Sequence, residues 1–105
     1  SIVDLPLQTV ENIKDVGRID PKKKLTVSYT ITNTNDHLIE LLPPRSPCDC
    51  SVAELEKTSL KPGESMNVKV TFDPTNYSGK IVKSIYLKSK HSEEEIRLIL
   101  TGTVE

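Results

Sequence analysis

Leu25-Thr26-Val27-Ser28-Tyr29-Thr30-Ile31-Thr32-Asn33 places an apolar residue at every second position. Successive side chains of an extended strand point to opposite faces, so Leu25, Val27, Tyr29 and Ile31 fall on one face. Thr and Ser fall on the other. That is a strand with one dry and one wet face, as antiparallel sheets have. The pattern recurs along the chain. Met66, Val68, Val70 and Phe72 share a face over residues 65–72. Ile96, Leu98, Leu100 and Gly102 share one near the C-terminus, continued by Val104. Ile81, Val82, Ile85, Tyr86 and Leu87 form a further strand with a less regular alternation. Shorter strands are predicted near Thr9–Ile19, His37–Leu42 and Glu56–Leu60.

Turn chemistry separates these stretches. Asn33-Thr34-Asn35-Asp36 carries Asx side chains that bond their own backbone. Lys61-Pro62-Gly63-Glu64 puts Pro and Gly where a type II turn needs them. Residues 73–79 make a longer connection, and residues 89–94 close the last hairpin. No amphipathic helix of ordinary length is present, and no helix beyond about two turns is expected. Short strands with turns every 8–12 residues or so read as an all-β, immunoglobulin-like antiparallel β-sandwich of about six to eight strands. Its expected inter-sheet core is Leu25, Val27, Tyr29, Ile31, Val68, Val70, Phe72, Leu98 and Leu100.

The chain has 105 residues, the size of one domain, taken here as 1–105. Apolar residues make up 35% and aromatics 4%, which suits packed aliphatic strands better than an aromatic ligand pocket. With 14 basic and 15 acidic residues there is no basic face for nucleic acid, and Lys22-Lys23-Lys24 reads as a solvated turn. No apolar run approaches the ~20 residues that span a bilayer. The chain opens at Ser1 without a Met or a signal-like segment, as a processed precursor or an excised domain would.

Several short stretches in this order resemble a known family. They are Asp15-Val16-Gly17-Arg18-Ile19, Tyr29-Thr30-Ile31-Thr32-Asn33-Thr34-Asn35 and Cys48-Asp49-Cys50-Ser51. Leu60-Lys61-Pro62-Gly63-Glu64-Ser65, Val68-Lys69-Val70-Thr71-Phe72-Asp73, Gly79-Lys80 and Leu98-Ile99-Leu100-Thr101-Gly102-Thr103-Val104 follow. From about Asp15 onward the chain resembles the bacterial family of unknown function numbered 1573. More distantly it is similar to the immunoglobulin-like modules of cilium and centrosome proteins and to the major sperm protein fold. The resemblance implies an immunoglobulin-like sandwich and a bacterial periplasmic, secreted or cell-surface setting. It implies no enzymatic activity. The family usually carries Cys-Gly-Cys-Thr where this chain has Cys48-Asp49-Cys50-Ser51, so Asp49 adds a charge between the sulfurs.

Both cysteines stand in Pro43-Pro44-Arg45-Ser46-Pro47-Cys48-Asp49-Cys50-Ser51. The prolines remove backbone donors, which disfavours a central strand. Asp49 is costly to bury alone. The pair is therefore expected near the surface, in a bent segment. Three chemistries stay open. A local disulfide needs a bend, because residues two apart on an extended strand lie ~6.6 Å apart at Cα, near the upper limit for such a bond. It would be accessible, readily reduced and of little weight for stability, and so suited to redox work. Alternatively, two thiolates chelate a soft ion such as copper(I) or zinc(II). His37 and His91 are expected at the opposite end of the sandwich, ~17–20 Å away for strands of ordinary length. Asp49, Asp73 or a second molecule would have to complete that shell. Thirdly, the cysteines simply fix a loop.

Other candidates are plain by comparison. His37 beside Asp36 reads as a turn histidine, Glu93-Glu94-Glu95 as a solvated turn, and Tyr77 either as a partner anchor or as a cap on the core. No phosphate loop or carboxylate dyad occurs. The expectation is a non-enzymatic binding or structural module without a cofactor. It presents Pro43, Pro44, Arg45, Pro47, Cys48, Asp49, Cys50 and Tyr77 to a protein partner.

Overall fold

In a computed structural model that describes residues 4–105, the chain runs through nine strands. They are β1 (Gln8–Thr9), β2 (Ile13–Ile19), β3 (Leu25–Thr32), β4 (Ile39–Glu40), β5 (Ser51–Leu55), β6 (Ser59–Leu60), β7 (Ser65–Phe72), β8 (Gly79–Leu87) and β9 (Ile96–Val104). Three of them are two-residue pieces, so six longer strands carry the architecture. Residues 1–3 of the expected domain lie outside the described residues.

The alternating stretches pair as their patterns require. β3 and β7 run antiparallel over eight residue pairs, from Leu25 opposite Phe72 to Thr32 opposite Ser65. Val27 faces Val70 and Tyr29 faces Val68, so the two apolar faces coincide. β1 and β5 flank this pair, giving the sheet order β1-β3-β7-β5. The second sheet is β2-β9-β8, and β4 pairs with β6 beside them. Tyr29, Ile31, Val68 and Val70 of the first sheet pack with Ile85, Leu87 and Leu98 of the second. Phe72 joins Ile19, Ile81, Leu100 and Val104 in a second cluster at one end. This is the expected all-β, immunoglobulin-like sandwich. Seven of the nine expected core residues are fully buried, while Leu25 and Val27, near the start of β3, are half-buried.

Three details depart from the sequence reading. The stretch expected as one strand over Thr9–Ile19 splits between the sheets, with β1 on β3 and β2 on β9. The β2–β9 pairing is parallel, where antiparallel pairing was expected throughout. Period-two alternation is the same in both kinds of ladder, so it does not distinguish them. β2 bulges between Asp15 and Arg18, where Gly17 takes φ +69°. Gly102 of β9 lies beneath that bulge, and a Cβ there would stand 2.6 Å from Ile19 Cδ1 and 2.9 Å from the Gly17 carbonyl oxygen. Lastly, β5 occupies Ser51–Leu55, and only Ser59–Leu60 remains of the strand expected near Glu56–Leu60.

The hairpin register sorts the loops to opposite ends. Asn33 follows the Thr32–Ser65 end, where it is a buried hub. Its side chain donates to the carbonyls of His37 and Leu60, each at 3.0 Å, and accepts the Asn35 N–H at 2.8 Å. Here His37 lies between two carboxylates, with Nε2 2.7 Å from Asp4 and Nδ1 3.1 Å from Asp36. The Asp4 N–H donates to the His91 carbonyl at 3.1 Å. Both histidines thus belong to one end, as expected. The cysteine loop meets Phe72 and Asp73 at the other.

Leu98 is 1% exposed between the sheets. Leu98→Ala is expected to lose about 2–5 kcal/mol in urea melts, and a loss below roughly half a kcal/mol would contradict this inward face. The histidine end supplies a pH test. Hydrogen bonds to Asp4 and Asp36 raise His37 above its ordinary 6.5. Burial would raise the Asp4 carboxyl, but hydrogen bonding, chiefly from His37, outweighs it and holds the group below 3.8. Stabilisation by the pair is thus complete between those two ordinary values. It is lost as pH rises through the folded-state pKa of His37, or falls through that of Asp4. Melting temperature is expected to drop as pH rises above 6.5 in the wild type, with this limb flattened in His37→Gln.

Candidate functional site

Residues 41–51 cross from one sheet to the other. They first lie along the end of β8 and the residues just beyond it, through bridges Arg45–Tyr86 and Leu41–Ser89, and then enter β5 at Ser51. Between these points Pro47–Cys50 turns sharply. The Ser51 N–H donates to the Cys48 carbonyl at 3.3 Å. The bend brings the Cα atoms of Cys48 and Cys50 to 5.2 Å, and the two sulfurs form a disulfide. Of the chemistries left open by the sequence, the structure holds the bonded one. Its loop is tied from outside. Ser46 Oγ lies 2.8 Å from the Cys48 carbonyl and 2.9 Å from that of Ser51. The Asp73 N–H donates to the Cys50 carbonyl at 2.8 Å.

Tyr77 joins this loop to the core. Its ring packs on Phe72 with centroids 5.4 Å apart, and its hydroxyl lies 3.1 Å from Cys48 Sγ. Tyr77 therefore caps the core and touches the disulfide at once. Beneath it stands Lys83, which shares the inward parity of Ile81 and Ile85 on β8. Its ammonium lies 4.0 Å from the Tyr77 ring centroid. Lys83 on the inward parity, with Val82 and Tyr86 on the outward one, is the reason that the alternation of this strand looked irregular. The sequence reading passed over it.

An open depression of about 560 Å³ lies between the two segments, lined by Cys48, Asp49, Cys50, Asp73, Thr75, Asn76 and Tyr77. Cys48 also borders a smaller hollow with Pro47, Val82, Lys83 and Tyr86. The two cysteines are half-buried, and Asp49 is exposed. The Asp73 carboxylate accepts the hydroxyl and the N–H of Thr75, which hold it below its ordinary 3.8 and keep it charged at neutral pH. The depression thus has a sulfur floor and two carboxylates on its rim, with Lys24 close enough to act on that of Asp73. Bonded sulfurs offer no thiolate to a soft metal. A soft metal would require the pair to be reduced first.

Of the residues singled out from sequence, Cys48, Asp49, Cys50 and Tyr77 come together. Arg45 does not join them. Its guanidinium stacks on Tyr86 at 4.2 Å and pairs with Glu95 at 3.2 Å, beside Leu42, Pro43 and Lys88. The bridge to Tyr86 fixes the Arg45 backbone there, short of the turn. Asp73, Thr75, Asn76 and Lys83 complete the site. Of these, Asp73 was named from sequence only as a candidate to complete a metal shell, and Lys83 left a trace as a break in the alternation.

Over residues 7–104 the sequence matches the family described as "Protein of unknown function (DUF1573)". The chain belongs to that family. No curated protein matches it. Among solved structures it is similar to a protein of unknown function from Porphyromonas gingivalis W83, with TM-score 0.77 and 16% identity over 92% of this chain and 46% of that one. It is also similar to the secreted serine protease VesC of Vibrio cholerae, with TM-score 0.67 and 17% identity over 93% of this chain and 23% of that one. A PapD-like domain of human CEP192 matches at TM-score 0.66 and 12% identity, over 97% of this chain and 87% of that one. The chain therefore spans under half of the first two proteins.

The disulfide closes a very short loop, so its cleavage relieves the unfolded chain of little constraint. Reduction in the folded state is expected to lower stability by less than about 2 kcal/mol. Urea melts with and without dithiothreitol, alongside a thiol count, check this. A collapse of the melting transition on reduction would show that the bond holds the fold.

Proposed function

We propose that this chain is a non-enzymatic immunoglobulin-like binding module of the bacterial cell envelope, and that it presents the Cys48–Cys50 loop to a protein partner. The observation that carries this reading is the immobilised turn at the edge of the open depression. Asp49 projects from it into solvent while Ser46, Asp73 and Tyr77 hold the backbone and sulfur beneath. A surface already ordered loses little conformational freedom on binding. The fold likeness adds support, since the same sandwich forms a minor share of a secreted protease. Such folds host many functions, so the reading rests on the loop.

A photo-crosslinking residue placed at Asp49 of the full-length protein tests this in cells, with Lys61 at the opposite end as control. One defined adduct is expected at position 49 and none at 61, and Tyr77→Ala is expected to weaken it. Equal labelling at both ends, or none at 49, would overturn the reading. Fractionation of the same cells is expected to place the protein in the periplasm or on the surface. A cytoplasmic pool alone would remove the envelope assignment.

A second reading has an observation of its own. The Cys50 N–H donates to Cys48 Sγ at 3.1 Å, and the Tyr77 hydroxyl reaches the same sulfur. Donors gathered on one sulfur of an accessible disulfide favour thiol–disulfide exchange with the partner.

A further inference from the structure

Cys48 and Cys50 are the same chemical group in unequal surroundings. Cys48 Sγ has the Cys50 N–H and the Tyr77 hydroxyl, both at 3.1 Å. Cys50 Sγ faces the Ser51 hydroxyl at 3.7 Å, and its side chain packs against the apolar cluster of Phe72 and Leu100. Hydrogen bonds strengthen when the acceptor is ionised. A thiolate on Cys48 gains two such bonds. The Lys83 ammonium over the Tyr77 ring adds positive potential on the same side. A thiolate on Cys50 would instead sit against apolar side chains. In exchange reactions the sulfur of the more acidic thiol leaves faster.

We infer that the loop exchanges with an incoming dithiol through Cys50, and that Cys48 is the sulfur released. This inference rests on the redox reading above. The incoming thiolate attacks Cys50 Sγ, and the bonding pair of the Cys48–Cys50 bond departs on Cys48 as a thiolate. Tyr77 keeps its proton and hydrogen-bonds to the departing sulfur. The second thiol of the dithiol, as thiolate, then attacks the partner sulfur of the mixed disulfide. Cys50 leaves as a thiolate and takes a proton from water. The partner is oxidised to its disulfide, and the loop gains its two electrons. The exposed Asp49 carboxylate also selects the partner. A thiol flanked by basic groups approaches more readily than an anionic one.

Folded, oxidised protein is treated briefly with cysteamine, a cationic thiol, then acid-quenched, alkylated and sequenced by mass spectrometry. Cysteamine is expected on Cys50 and the alkyl group on Cys48. Relative to a reference disulfide, cysteamine is expected to react roughly tenfold faster than mercaptoethanesulfonate at low salt, with the gap closing as salt rises. Tyr77→Phe keeps the ring on Phe72 and is expected to slow reduction roughly threefold to tenfold. Cysteamine on Cys48, or on both sulfurs equally, would overturn the assignment while leaving the redox reading intact. So would a Tyr77→Phe rate equal to the wild type. A faster anionic thiol would overturn the partner chemistry. A disulfide that resists every thiol until the domain unfolds would overturn the redox reading and this inference together.

Discussion

The eight-residue pairing of β3 with β7 is the constraint on which the other features hang. It sets Leu25, Val27, Tyr29 and Ile31 opposite Phe72, Val70, Val68 and Met66, so that one apolar surface exists for the second sheet to cover. A slip of one residue would send every one of those side chains to solvent. The same register fixes the ends. It puts Asn33 beside Glu64 at one pole and Ser51 beside Phe72 at the other. The cysteine turn has its place because Cys50 immediately precedes the residue that pairs with Phe72.

The loop pole shows how a small core can be shaped for chemistry. Inward positions on β8 are filled by Ile81, Ile85 and Leu87, and by Lys83 among them. A lysine there would be unfavourable in the middle of the sandwich. Lys83 is at mid-strand, but β8 is the edge of its sheet, and the ammonium escapes to the face of Tyr77. Tyr77 in turn is held on Phe72, whose place is given by the ladder. A chain of contacts therefore runs from the best-determined part of the fold to a single sulfur, Cys48.

Much of the fold was legible because its strong strands carry their burial in their spelling. β3, β7 and β9 alternate cleanly, and their inward residues are the buried ones. The parallel direction of β2 was hidden because a parallel neighbour leaves no mark on a period of two. β5 was hidden because it is a five-residue edge strand with only Ala53 and Leu55 as inward apolar residues. The Cys48–Cys50 spacing singled out the right loop but not its chemical state, since bonded, free and metal-bound sulfurs all tolerate one intervening residue. Arg45 reads from sequence as part of that loop. Its neighbours in space are Tyr86 and Glu95, which stand far along the chain. Tyr77 admitted two roles in sequence, and in the structure it caps the core while its hydroxyl meets the disulfide.

The bridges of Arg45 to β8 and of Leu41 to Ser89 just beyond it have a consequence for colloidal behaviour. An edge strand offers a row of unpaired amides on which another chain can add. The segment ahead of the disulfide covers part of that row at Tyr86 of β8 and at Ser89 just beyond it, before crossing to β5. The disulfide turn is thus the far anchor of a strap that shields a sheet edge. Substitutions in residues 41–47 that look neutral for the sulfur chemistry would still expose β8 to strand-by-strand self-assembly. Mutational tolerance in this segment therefore answers to solubility as well as to partner contact.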